Sequence, residues 1–226
     1  MLVNRSPHPS RTKRILATAA LAAGLVGVTG ALAAGQTQPG GDARQASSIE
    51  AVAERLAADQ ARERAEHNVH LTKAAGAAHD HMAHVLQGLA SAVPVEGPVS
   101  PRPASIGDVE EWNQDLALAV SVLEAVEEGA SEQAVTREAF IGAAHLLQSA
   151  AGGYGQLLNA PAAERELLAA TVAERRDAAV RLWQAGAAQL DSLTVGSGGG
   201  HVHLFLAPDG DPDAVPQEFQ EPDSHK

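Results

Sequence analysis

The sequence predicts a mainly α protein: an antiparallel bundle of about four helices, the first of them long. Three observations carry this expectation. Aromatic residues are only 3% of the 226, and alanine and leucine fill the apolar positions, which suits closely packed helices better than a sheet built on β-branched and aromatic side chains. Apolar residues recur at intervals of three and four over long, proline-free stretches. The breaks between these stretches after the second are short and hold glycine or proline, so successive helices must double back on one another.

Residues 1–14 are polar and basic, and residues 15–34 form a run of twenty residues without a charge. Ala31-Leu32-Ala33 offers the small residues that a signal peptidase reads. Residues 1–33 are therefore expected to be a signal peptide, or else an uncleaved membrane anchor, and 34–47 a flexible linker of glycine and polar residues. The implied location is exported and bacterial: periplasmic, cell-envelope or secreted.

The helical domain is expected over 48–193. Its first helix runs from Ser48 to about Ala92, with Gly76 as a place to bend. Ile49, Val52 and Leu56 form the buried stripe at its start; Leu71, Ala75, Ala78, Met82, Val85 and Leu89 form it at its end. Residues 93–107 hold four prolines and stop it. The second helix starts with Asp108 as cap and Glu111 as capping-box partner. It presents Val109, Trp112, Leu116, Ala119, Leu123 and Val126 inward and ends at Gly129. The third begins near Ser131, carries Val135, Ala139, Leu146 and Leu147, and meets an interruption or a close crossing at Gly152-Gly153-Tyr154-Gly155. Asn159 and Pro161 open the fourth, on which Leu168, Val172, Ala179, Leu182, Trp183 and Leu190 face inward and Gly186 admits a neighbour closely. Residues 194–226 read as a glycine-rich hinge, a short β-prone run at 201–206 and a largely disordered acidic tail.

The formal charge of −12 argues against nucleic acid and anionic lipid as partners and favours cations and basic protein surfaces. Membrane association is expected only through an uncleaved N-terminal segment. With no cysteine there is neither a disulfide nor a thiolate metal site. No nucleophile elbow, phosphate-cradling loop or His-Glu-x-x-His helix is present, so no residue is assigned a catalytic role and the balance leans away from an enzyme without deciding it.

Histidine is the one residue type arranged as chemistry would need it. Of ten histidines, five lie between residues 67 and 84. His67 and His70 share a helix face, as do His81 and His84, and the two pairs recur after 14 residues, roughly 21 Å along the helix. Two imidazoles at i,i+3 can grip one metal ion, with Glu63 and Glu66 one turn before the first pair as ligand or outer support. A pair needs a further group from another helix, and His145 is the only histidine on the third. His201 and His203 form a possible second pair on the β-prone run. A nitrogen and oxygen ligand set suits zinc, copper or nickel. Two functions follow as expectations: an exported bundle that buffers, delivers or senses a divalent transition metal, or a non-catalytic envelope structural or interaction protein, without metal, that works with a protein partner or as a homo-oligomer.

Overall fold

The computed structural model describes residues 41–95 and 102–211, with side chains from residue 48. The expected signal peptide or anchor, the linker as far as residue 40 and the tail beyond residue 211 lie outside the described residues. The chain divides between Gln45 and Ala46, and the bundle belongs to the second unit. Among the described residues there are four helices, α1 (Gly41–Ala92), α2 (Ile106–Glu124), α3 (Ser131–Asn159) and α4 (Ala162–Gly196), and the second unit takes α1 from Ala46 on. Among the described residues there is no strand, and none of these helices is long and apolar enough to cross a membrane.

Each helix packs antiparallel to the next, and the fourth closes against the first. A Cβ on Gly88 of α1 would strike Trp112 of α2, whose ring meets Tyr154 of α3 at 5.7 Å between centroids. Phe140 of α3 packs on Trp183 of α4 at 4.5 Å. At one end of the α1–α4 seam Asn68 Nδ2 donates to Leu193 O (2.9 Å), and at the other the buried Arg176 donates from Nη1 to Val93 O (2.7 Å). The heptad-spaced stripe of Leu71, Ala75, Ala78, Met82, Val85 and Leu89 is wholly buried, as are Leu116, Ala119 and Leu123 opposite it.

Five local expectations are corrected or, where two readings were open, decided. Helix α1 begins at Gly41 rather than Ser48, and runs through Gly76 without interruption, because no proline follows Pro39 until Pro94 and Ala43 to Ala46 favour helix. Helix α2 is capped by Ser105, not Asp108. Asp108 is instead its partner, accepting from the Ser105 amide at 2.6 Å while the Ser105 hydroxyl faces the Asp108 amide. It stops at Glu124, short of Gly129. Helix α3 continues through the glycines at 152–155 to Asn159. A Cβ on Gly153 would come within 3.2 Å of Val172 on α4, and one on Gly186 within 3.0 Å of Phe140, so both glycines serve close helix approach rather than chain reversal.

The fifth concerns the core. Ile49, Val52 and Leu56 are not buried: they are 65%, 63% and 58% exposed, and every residue from 48 to 64 is exposed, so α1 projects past its neighbours as an arm. Val135 is exposed as well.

Beyond α4 the chain folds back as an extended strap, residues 201–211, in the groove between α4 and α1. It forms no ladder. Its carbonyls are taken by side chains: Trp183 Nε1 donates to Leu204 O (2.7 Å), Gln184 to Leu206 O (3.0 Å), His79 Nε2 to Phe205 O (2.8 Å) and Gln87 to Gly210 O (2.9 Å). Leu206 is buried between them.

Candidate metal centre on the first helix

Four of the five histidines of α1 form two pairs in different environments, while His79 holds the strap. The lower pair faces α2. His81 Nδ1 lies 3.0 Å from Asp115 Oδ1, and His84 Nδ1 lies 2.7 Å from Asp115 Oδ2. A carboxylate only accepts, so both rings donate from Nδ1 and each carries its remaining lone pair on Nε2. The side chains are 33% (His81), 54% (His84) and 21% (Asp115) exposed, which leaves the rings open to solvent. Burial works against the ionised form of Asp115, but hydrogen bonds from His84 and His81, and the charge of these rings once protonated, hold its pKa below the usual carboxylate value.

The upper pair lies at the other end of the bundle. His67, His70, Glu63 and Glu66 line a cleft of about 650 Å³ with Arg64 and the α2–α3 connection, which contributes Glu127, Glu128 and Gly129. His67 Nε2 is enclosed and has no hydrogen-bond partner among the described residues. It sits against Gly129, where an added Cβ would come within 2.6 Å of it. Burial, reinforced by His70 and Arg137 and opposed by Glu127, lowers the His67 pKa, so the ring stays neutral at pH 7.

Beneath this cleft a buried polar network joins three helices. Gln133 of α3 donates to Asn68 Oδ1 (2.6 Å) and Arg64 O (3.0 Å) of α1, and accepts from the Ala130 amide (2.9 Å). Asn68 in turn donates to Leu193 O and to Ser197 Oγ (3.0 Å) at the end of α4. The network fixes α1 at the level where its arm leaves the bundle.

His145, His201 and His203 stand apart from both pairs. His145 is exposed on α3 and bonded to Gln148 of its own helix at 2.9 Å. His201 and His203 stack at 6.2 Å on the strap, and His201 Nδ1 faces both oxygens of Asp191 at 3.1 Å. A hydrogen bond from the Val202 amide, against some burial and with help from His201, lowers the Asp191 pKa. Met82 is a core residue. Among the described residues, no group of three or more His, Cys, Asp or Glu side chains is already placed around one point as a metal cage. At Asp115 the two rings direct Nδ1 to the carboxylate, one to each oxygen.

Two contributors were not read from the sequence. Asp115 sits at the edge of the α2 stripe, between Trp112 and Leu116, and a single acid there resembles any rim residue. Glu127-Glu128 reads as a solvent-facing pair, and both are exposed; what the sequence does not show is that both line the cleft. Compared with protein-family models, curated proteins and solved structures, the chain matches none.

Proposed function

We propose that this protein is an exported helical bundle that binds a divalent transition metal outside the cytoplasm through Nε2 of His81 and His84, with Asp115 as the group that orients both rings. The observation that supports the reading is the shared carboxylate. Metal-binding imidazoles characteristically donate their other N–H to a carboxylate, which fixes the tautomer and raises the basicity of the ligating nitrogen. Here one acid from a second helix does this for both members of an i,i+3 pair. The enclosed His67 Nε2 is less accessible to an ion arriving from solvent, which is why the lower pair is assigned. Two nitrogens with water completing the shell would exchange metal readily, as buffering or delivery requires, and zinc, copper(II) and nickel suit such a donor set.

Calorimetric titration of the purified protein with each of these ions is the test. Submicromolar, stoichiometric binding is expected, lost in the double variant His81→Ala/His84→Ala and retained in His67→Ala/His70→Ala. Binding that survives the first double variant would overturn the assignment.

A further inference from the structure

The arm of α1 carries a face that nothing in the described chain covers. Ile49, Val52 and Leu56 follow an i, i+3, i+7 pattern and are more than half exposed. An isolated helix of this length is marginal in water, and an apolar stripe on it is a binding surface in search of a cover. The direction of the stripe decides what it belongs to. Eighteen residues make about five turns of helix, so Ile49 stands directly above His67 and Val52 above His70. Gln60 and Glu63 lie between them on the same side. The apolar stripe therefore runs straight into the acidic cleft. Lower down, the same side of α1 is the one covered by α2, through Gly88 against Trp112 and His81 and His84 against Asp115. Helix α2 ends at Glu124 and the chain turns to α3 at Ser131, so above the cleft the seat continues without its helix.

We infer that this seat docks a basic amphipathic helix of a partner protein, its apolar side chains on Ile49, Val52 and Leu56 and its lysine or arginine side chains in the cleft. Charge complementarity selects the occupant. Four carboxylates, Glu63, Glu66, Glu127 and Glu128, line the cleft against the single guanidinium of Arg64, on a chain of net charge −12. A helix laid in a groove by alternating anchors is a standard mode of peptide recognition. A second copy of the chain fits less well. Three side chains offering roughly 100 Å² each give on the order of 600 Å² between two copies, well under half of a standard interface of about 1,600 Å², and would bring two acidic clefts together.

The inference stands independently of the metal. Its probe is a fluorescein-labelled synthetic helix of about 18 residues of leucine and lysine in amphipathic order, with the same composition scrambled as control. Fluorescence anisotropy with the purified full-length chain is expected to show micromolar binding of the amphipathic peptide and at least tenfold weaker binding of the scrambled one. Leu56→Asp, on an exposed arm, is expected to weaken it at least fivefold without lowering the melting temperature. Glu127→Gln/Glu128→Gln is expected to weaken it about tenfold and to flatten its salt dependence. Equal binding of both peptides, or binding indifferent to Leu56→Asp, would overturn the docking seat in favour of unspecific charge attraction. So would a dimer by sedimentation that dissociates on Leu56→Asp, since a second copy would then be the cover.

Discussion

Replacing Asp115 by asparagine separates an orienting role from a merely structural one. The carboxylate accepts from His81 at 3.0 Å and from His84 at 2.7 Å, one oxygen each. Asparagine keeps the shape but has one acceptor and one donor. The ring facing the amide nitrogen must present a bare Nδ1, and its proton moves to Nε2, the atom assigned to the metal. One of two ligands is thereby blocked. Loss of an outer-shell partner of this kind weakens metal binding about 10- to 100-fold, or about 1.4 to 2.7 kcal/mol. The folding cost is much smaller. The rings are a third to a half exposed, and partly exposed pairs contribute on the order of 1 kcal/mol or less, a shift of roughly 2–4 °C for a domain of this size. Calorimetry and thermal melting give the two quantities, and long-range ¹H–¹⁵N spectra report which ring nitrogen is protonated. Undiminished affinity together with Nδ1–H on both rings of the variant would refute the reasoning. A fall in melting temperature beyond about 10 °C would instead make Asp115 a clamp between α1 and α2.

Three further expectations concern the frame around the sites. Asn68→Asp keeps the volume but removes the donors to Leu193 O and Ser197 Oγ and places a charge at a buried position. Urea unfolding at pH 7 should show a loss of about 2–4 kcal/mol, partly recovered at pH 5 as the acid is protonated, and a loss below about 1 kcal/mol would contradict the network. Gly210 has φ +72° and backs onto the α1 backbone, where a Cβ would strike Ala83 O. Gly210→Ala should therefore release the strap, raising amide exchange across 201–210, whereas an unchanged exchange pattern there would mean that the strap is not seated as described. Because the folded state lowers the His67 pKa, the unfolded chain takes up the proton first as pH falls through about 6.5. Its contribution is full above that value and declines below it, until the folded ring is protonated too. His67→Gln should flatten the melting temperature between pH 7.5 and 5.5. Asp115 and Asp191, whose folded pKa values are depressed, lose their contributions only below about 3.9 and lie outside this window. Equal slopes in wild type and variant would refute the assignment to His67.

The number and order of the helices could be read from the sequence because their apolar periodicity is long and unambiguous. Val109, Trp112, Leu116, Ala119 and Leu123 are all buried as their spacing implies. What periodicity lacks is the position of the partner. Ile49, Val52 and Leu56 repeat like any core stripe, but the helix that would cover them is absent from the described chain. The glycines at 152–155 invite a break on local cost, about 1 kcal/mol each against alanine, yet the approach of Val172 to Gly153 accompanies an unbroken helix. The strap was harder still to foresee. It is fastened by backbone carbonyls that accept from Trp183, His79, Gln184 and Gln87, and a carbonyl leaves no mark in a sequence.

The same difference explains how the candidate sites divide along α1. That helix has 52 residues and α2 has 19, so one neighbour can cover only part of the face they share. Where it does, a histidine pair legible from its i,i+3 spacing meets an acid 31 and 34 residues away that only the register of two helices could bring there. Where α2 stops, the turn toward α3 lays Glu127 and Glu128 beside His67 and His70, and the polar network of Asn68 and Gln133 holds α1 at that level. Past that point the face continues with its apolar residues uncovered by any of the described elements. A longer α2 would bury Ile49, Val52 and Leu56 and abolish the cleft at once. The early stop at Glu124 is therefore the feature on which both the cleft and the exposed seat depend, and neither can be altered there without the other.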